Sequence, residues 1–297
     1  MFAQKPTLLK RAKVQYRDQA PIMTSNDKNL SVLMSTYERD NVEHLRSALD
    51  SLVRQTLKAD EVILVEDGPI SGAHRELIEQ FRDQLNIVSV KIPQNVGLGP
   101  ALRQGLLQCK SPIIARMDTD DIALPTRFSE QYDFLINNPE VAIVGGNIAE
   151  FDDDPNKPLG IRRIKTTHEE IVRASWFRTP FNHMTVMYHK DAVITAGNYK
   201  HLPGFEDYDL WLRLIASDYQ CRNMDKVLVL ARVGNGLLER RSGWKYISRE
   251  VKAVSGFRKY QVIPLPALYI NLIGRLVIRI LPRKVLGIAY RKLRTNA

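Results

Sequence analysis

Asp118, Asp120 and Asp121 stand where an apolar run, Ile113-Ile114-Ala115-Arg116-Met117, gives out. Acids so closely spaced repel one another, so the site they form needs a cation, a proton or basic neighbours. Magnesium or manganese held by oxygen ligands and bridging to a diphosphate meets that need. A solvated loop rich in aspartate is the plainer alternative. Glu206 and Asp207 open a second acidic segment, in which Tyr208, Trp211, Leu212 and Ile215 share one helical face. An acid there can take a proton from a hydroxyl, or it can answer the positive end of the helix. Thr36–Glu38 and Glu66–Asp67 are further polar clusters.

The elements that must position these residues alternate. Strands are expected over Leu30–Thr36, Glu61–Val65, Ile87–Ile92 and Ile113–Met117, with helices over Val42–Thr56, Ala73–Leu85 and Ala101–Cys109 between them. Short loops between such units predict an α/β fold with a mainly parallel central sheet. Ligands of such sheets gather beyond the carboxyl ends of the strands, where the Thr36, Asp67 and Asp118 clusters all fall. Further on, a helix follows Pro125, a short strand covers Val141–Val144, and Thr166 with Glu169 offers a capping box. Asn182–Tyr188 is strand-like, Lys190–Ala196 is a short helix, and Lys226–Val233 is a late strand. Asp152-Asp153-Asp154-Pro155 reads as an exposed turn.

A chain of 297 residues can bury a substantial core. Cys109 and Cys221 lie far apart and outside any Cys-X-X-Cys pattern, as expected of a reduced, cytoplasmic protein. Ala3–Ile22 lacks the continuous apolar core of a signal peptide, and no run reaches the roughly 20 apolar residues of a conventional membrane span. Charge is uneven. Residues 222–297 hold 17 Lys and Arg against 3 Asp and Glu, whereas the preceding residues hold 26 against 30. From Leu265 onward, arginines and lysines interleave with Leu, Ile and Val, and Tyr269 and Tyr290 are placed as interfacial anchors. The pattern predicts basic amphipathic helices lying on an anionic membrane surface through residues 265–297. The competing expectation is a helix pair packed on the body or forming a homo-oligomer contact. Nucleic acid is disfavoured by the abundance of Leu and Ile and by the lack of zinc-finger or RNA-recognition signatures.

At Ser31–Tyr37, Glu61–Gly68, Asn95-Val96-Gly97-Leu98, Ala115–Asp121 with Pro125 and Arg127, Asn182-His183 and Glu206–Arg213, the sequence resembles bacterial family 2 glycosyltransferases of the GT-A fold. The likeness is to those that build capsular, exopolysaccharide or lipopolysaccharide repeats. It implies a single Rossmann-like nucleotide-binding unit with basic C-terminal helices. The expected organisation is an N-terminal extension (1–29), a catalytic domain (30–241) and a basic helical tail (242–297). Within the domain, 30–145 would bind the nucleotide sugar and 146–241 the acceptor. The resemblance implies that Thr36, Glu38 and Asp67 contact the nucleoside, that Asp118 reaches the ribose or the metal, and that Asp120 is the principal ligand of Mn²⁺ or Mg²⁺. Asp207 would be the catalytic base, with Glu206 the runner-up. Arg116 and Arg127 would organise the diphosphate or the aspartate loop, or else serve as surface or structural salt-bridge partners, and His183 either lines the acceptor side or is a satisfied core or loop histidine.

The implied reaction is metal-assisted, inverting transfer from a nucleotide diphosphate sugar, expected to be UDP-linked, to a lipid-linked saccharide. It would run peripherally on the inner face of the cytoplasmic membrane. One departure stands out: many relatives place a histidine after the late strand to complete the metal shell, and Leu230–Gly236 has none. Asn235, water, or phosphate contacts from Arg232, Arg240 and Arg241 would have to substitute. A sugar nucleotidyltransferase is a poorer reading, because Ser35–Asp40 lacks a glycine-rich phosphate loop. A non-catalytic nucleotide-sugar or polysaccharide-binding protein is the alternative from another class.

Overall fold

The computed structural model describes residues 29–233 and 244–280. Residues 1–28 of the expected extension, the last 17 residues, and Asn235, Arg240 and Arg241 lie outside the described residues. Nine strands form one sheet: β1 (Leu30–Thr36), β2 (Glu61–Asp67), β3 (Ile87–Ile92), β4 (Ile113–Arg116), β5 (Ile122–Ala123), β6 (Val141–Phe151), β7 (Gly160–Arg162), β8 (Met187–His189) and β9 (Gln220–Arg232). The helices are α1 (Val42–Val53), α2 (Gly72–Leu85), α3 (Leu98–Gln108), α4 (Arg127–Asn137), α5 (His168–Ala174), α6 (Lys190–Thr195), α7 (Glu206–Ala216), α8 (Trp244–Gly256) and α9 (Leu265–Ile280).

Strand alternation sorts the core into two layers. Leu30, Val32 and Met34 of β1 face one side with α1, α2 and α4, while Leu33 faces the other with α3, α6 and α7. β2 repeats the pattern, with Val62 and Leu64 on the first side and Ile63 and Val65 on the second. Helices thus cover both faces of the buried central strands, the arrangement expected of βαβ units.

The sheet order is β3-β2-β1-β4-β8-β6-β9-β5, with β7 on β6. The first four strands are parallel, as anticipated. Beyond β4 the sheet is mixed, which corrects the expectation of a mainly parallel sheet. β8 runs antiparallel to both β4 and β6, and β5–β9 and β6–β7 are antiparallel as well; in this half β6–β9 is a parallel pair. The parallel rule rests on helical crossovers between neighbouring strands. β8 instead enters between β4 and β6 from the tight turn at His183–Thr185.

Other boundaries shift locally. β6 continues through Gly145 and Gly146 to Phe151, where a register shift against β9 absorbs the irregularity. The capping box of α5 is Thr167 with Glu170, one residue later than expected. The Asp152–Asp154 segment is a turn, with Asp154 paired to Lys157. Both cysteines are free and buried.

α7 ties the body to the C-terminal helices. Its Leu210, Trp211 and Leu214 join the second layer, while Tyr208 and Leu212 pack on Val254, Phe257, Ala267 and Leu268. The inner face of α9 is therefore docked on the protein. Its outer face carries Leu265, Tyr269, Ile270 and Ile273, and the last two are 61% exposed.

Candidate active site

The carboxyl ends of β2, β1 and β4 are neighbours in the sheet, so Asp67, Thr36 and the Asp118–Asp121 loop share one edge. Register holds them level: Leu33 pairs with Arg116, and the Met117 N–H donates to the Leu33 carbonyl at 3.1 Å.

Arg116, fully buried at the end of β4, donates to Asp118 at 2.6 Å. Burial works against its charge, and Asp118 more than restores it, leaving the guanidinium above its ordinary value. Arg127 is also fully buried, at the start of α4. It donates to Gln131, to the Arg116 carbonyl at 2.7 Å and to the Met117 sulfur. Burial and the charge of Arg116 bring it down to about 9. These contacts fasten Arg127 to the backbone at the end of β4, where the aspartate loop begins.

Asp120 projects from the loop beside Asp118 and Asp40; burial, Asp118 and Asp40 together push its carboxyl up to about 6. Asp121 lies beneath, buried, and accepts from the Arg232 N–H at 2.8 Å, with Oδ2 unpartnered. Burial, then Asp118 and Asp120, raise it well above the carboxylate range. Arg232, from β9, also donates to the Asp120 and Asp152 carbonyls, so its guanidinium clamps this loop. Crowded carboxylates of raised proton affinity, with only hard oxygen donors, suit Mg²⁺ or Mn²⁺. Among the described residues no three His, Cys, Asp or Glu side chains converge as a ligand set. Two carboxylates would therefore need diphosphate oxygens and water to complete a shell, which is how Mg²⁺ is usually held beside phosphates.

Thr36 is buried and donates to Asp40, which also accepts from Thr119 at 2.9 Å and from the Tyr37 N–H. Burial raises Asp40 despite those donors. Reading the sequence missed Asp40; its position in the turn after β1 was the available signal, but nothing local identifies Thr119 as its partner. Glu38 is exposed at the rim. Asp67 is buried and accepts from the Val96 and Gly97 N–H groups at 2.7 and 3.0 Å. It thereby holds the turn in which Gly97 has φ +88°, a conformation glycine adopts without a steric penalty.

Asp207 and Glu206 lie in the first turn of α7. Asp207 is half-buried and accepts from the Thr179 hydroxyl at 3.3 Å. Glu206 is buried, accepts from the Phe205 N–H, and is pushed up to about 7 by burial and by Asp207. The buried Tyr199 phenol is raised above its ordinary value by burial, opposed by Arg116, and raised further by Asp207 and Asp118. His183 shares a 3.2 Å hydrogen bond with the Tyr199 hydroxyl and packs edge-on against Trp211. Burial and then Arg116 hold it well below its ordinary value, so it is a neutral partner in an aromatic network. A close approach completes the geometry. Any Cβ on Gly99, in the first turn of α3, would collide with the Lys200 carbonyl and press on Glu206.

A family model described as Glycosyl transferase family 2 matches residues 31–195. An uncharacterized glycosyltransferase of Haemophilus influenzae is 46% identical over 213 residues, 72% of this chain and 79% of that one. The Escherichia coli UDP-Gal:alpha-D-GlcNAc-diphosphoundecaprenol beta-1,3-galactosyltransferase is 34% identical over 270 residues, 91% of this chain and 98% of that one. Among solved structures, Staphylococcus aureus TarS 1-349 in complex with UDP-GlcNAc superimposes with a TM-score of 0.60 at 15% identity, a likeness of fold. The superposition covers 76% of this chain and spans 66% of that one.

Proposed function

The chain belongs to glycosyl transferase family 2, a family of enzymes, and from that premise we propose that its crevice performs an inverting, single-displacement sugar transfer. The donor is a nucleotide diphosphate sugar, with a uridine diphosphate sugar the first choice. The acceptor is a hydroxyl of a lipid-linked saccharide. The observation that carries this reading is geometric: Thr36, Asp67 and the Asp118–Asp121 loop share one edge of the sheet, and the first turn of α3, entered from the loop that Asp67 holds, packs its Gly99 against Lys200 and Glu206 at the start of α7.

Thr36, Glu38 and Asp67 take the nucleoside side of the crevice. Asp67 retains lone pairs beyond those engaged by Val96 and Gly97, and a nucleobase imide N–H is a suitable donor to them. Asp118 and Asp120 would hold Mg²⁺ or Mn²⁺, which when bound neutralises charge developing on the departing diphosphate. Arg116 and Arg127 keep those carboxylates in place from behind. Asp207 removes the proton of the acceptor hydroxyl as its oxygen bonds to the anomeric carbon. The bond from that carbon to the diphosphate oxygen breaks on the opposite face, and the nucleoside diphosphate leaves with the electron pair. An α-linked donor thus gives a β-glycoside. Glu206, largely enclosed and raised to about 7, suits a supporting role better than that of the base.

We also place the enzyme on the cytoplasmic face of an anionic membrane, held peripherally through 265–297. The exposed apolar stripe of α9 and the basic excess of 222–297 support this. Among the described residues no helix is long and apolar enough to cross a membrane.

The decisive experiment is a screen of nucleotide sugars for slow hydrolysis and transfer with Mg²⁺ or Mn²⁺. Asp207→Asn should keep donor binding and lose transfer by 10²-fold or more, on the scale typical of a general base. Asp120→Ala should weaken metal-dependent donor binding. Undiminished turnover in Asp207→Asn would remove the base assignment.

A further inference from the structure

A groove of about 390 Å³ lies outside the crevice, lined by Lys165, Glu170, Arg173, Ala174, Phe177 and Arg178. Its charge is mostly positive and mostly uncommitted. Glu170 is engaged by Thr167 in the capping box of α5 and stands 3.9 Å from Lys165. Arg173 and Arg178 are exposed and make no ion pair among the described residues. Phe177 is 45% exposed between them.

The segment that displays these side chains is fixed from behind. The Ser175 carbonyl accepts from the Tyr208 hydroxyl, the Trp176 carbonyl from Asn271, and the Phe177 carbonyl from Arg275. Two residues further on, Thr179 donates to Asp207. One short stretch thus runs from the groove to the proposed base. Phe177 and Arg178 sit in the turn that closes α5, both donating their N–H to the Ala174 carbonyl, and Arg178 immediately precedes Thr179, the residue bonded to Asp207. The helix that supplies Asn271 and Arg275 bears the exposed apolar stripe on its other side.

Building on the transferase reading, we propose that this groove seats the diphosphate of a lipid-diphosphate-linked acceptor. Arg173 and Arg178 bind its oxygens as planar forks, and Lys165 adds a third positive charge. Phe177 meets the first carbons of the lipid, which continues toward the outer face of α9. The first sugar then spans from the groove to Asp207 and presents its hydroxyl there. This arrangement selects acceptors by their charged anchor as well as by their sugar.

The test uses full-length protein with the donor crevice saturated by uridine diphosphate. The probe is a short-chain alkyl diphosphate, with the matched alkyl alcohol as the uncharged comparison. The double variant Arg173→Ala/Arg178→Ala should bind the diphosphate at least tenfold more weakly, with no change in melting temperature, and Arg→Lys at both positions should recover part of the loss. In transfer assays, KM for a sugar linked through diphosphate to an alkyl chain should rise tenfold or more, with kcat little altered. Equal diphosphate affinity in wild type and variant overturns the proposal. So does a loss that appears only as reduced flotation on anionic liposomes, which would make the groove a site for bulk phospholipid headgroups. Failure of the wild type to turn over any nucleotide sugar would count against the transferase reading, while the diphosphate titration would still decide the groove.

Discussion

The Thr119 hydroxyl donates to Asp40 Oδ2 across 2.9 Å, joining the loop after β4 to the turn after β1 over 79 positions of sequence. Because Thr36 donates to the same oxygen, one half-buried carboxylate sets the spacing between the end of β1, proposed to meet the nucleoside, and the acidic loop after β4. Asp40→Ala should leave two hydroxyls without their acceptor, at a cost of about 1–3 kcal/mol. It should also raise donor KM more than it lowers kcat, since the loop bearing Asp118 and Asp120 loses its latch. Asp40→Asn, which keeps an acceptor oxygen, should lie between wild type and Asp40→Ala. Chemical denaturation and donor kinetics on the three proteins check this.

Much of this site was legible because local pattern and chemistry agreed. Strands β1 and β3 have the bounds their apolar runs suggest, and the acids after Met117 stand at a strand end beside Thr36 and Asp67. The missing parts depended on distant partners. Arg127 follows a proline in a polar turn, and only the tertiary fold buries its guanidinium against the Arg116 carbonyl. The direction of β8 was hidden because a three-residue strand between two others carries no periodicity. Gly145-Gly146 reads as a strand end, yet β6 passes through it with a register shift.

Glu206 links stability to pH. Its folded carboxyl is raised to about 7 from an ordinary 4.5, by burial and by Asp207. The folded state therefore holds the proton more tightly than the unfolded chain. Its contribution favours folding below about 4.5 and is lost as pH rises through about 7, a swing of up to about 3 kcal/mol. Glu206→Gln, uncharged throughout, should melt near wild type at pH 4.5 and above it at pH 8. Melting curves that keep the wild-type pH dependence in Glu206→Gln would contradict the assignment.

Gly99 carries the contact between the first turn of α3 and the segment leading into α7. Gly99→Ala forces a methyl group against the Lys200 carbonyl, which cannot yield as a flexible side chain would. The expected destabilisation is about 1–3 kcal/mol. Because the displaced segment leads into Glu206 and Asp207, kcat should fall more than donor affinity. Thermal melting, donor titration and turnover together separate this outcome from simple unfolding.

The two faces of α9 call for different experiments. Deleting 265–297 would remove Ala267 and Leu268 from the cluster that also holds Tyr208, Leu212 and Phe257, so lost membrane binding in that variant would be mixed with lost packing. Substitutions on the outer face avoid this. Ile270→Glu/Ile273→Glu places two charges where the side chains already face solvent, and surface changes of this kind usually alter stability by less than about 0.5 kcal/mol each. Flotation with anionic liposomes should fall severalfold in the double variant at low salt, while melting temperature holds. Raising salt should weaken the wild type too, since screening reduces the pull of the basic tail. Undiminished flotation in the variant would assign the stripe to another contact, such as a second copy of the chain, and sedimentation would then reveal the dimer.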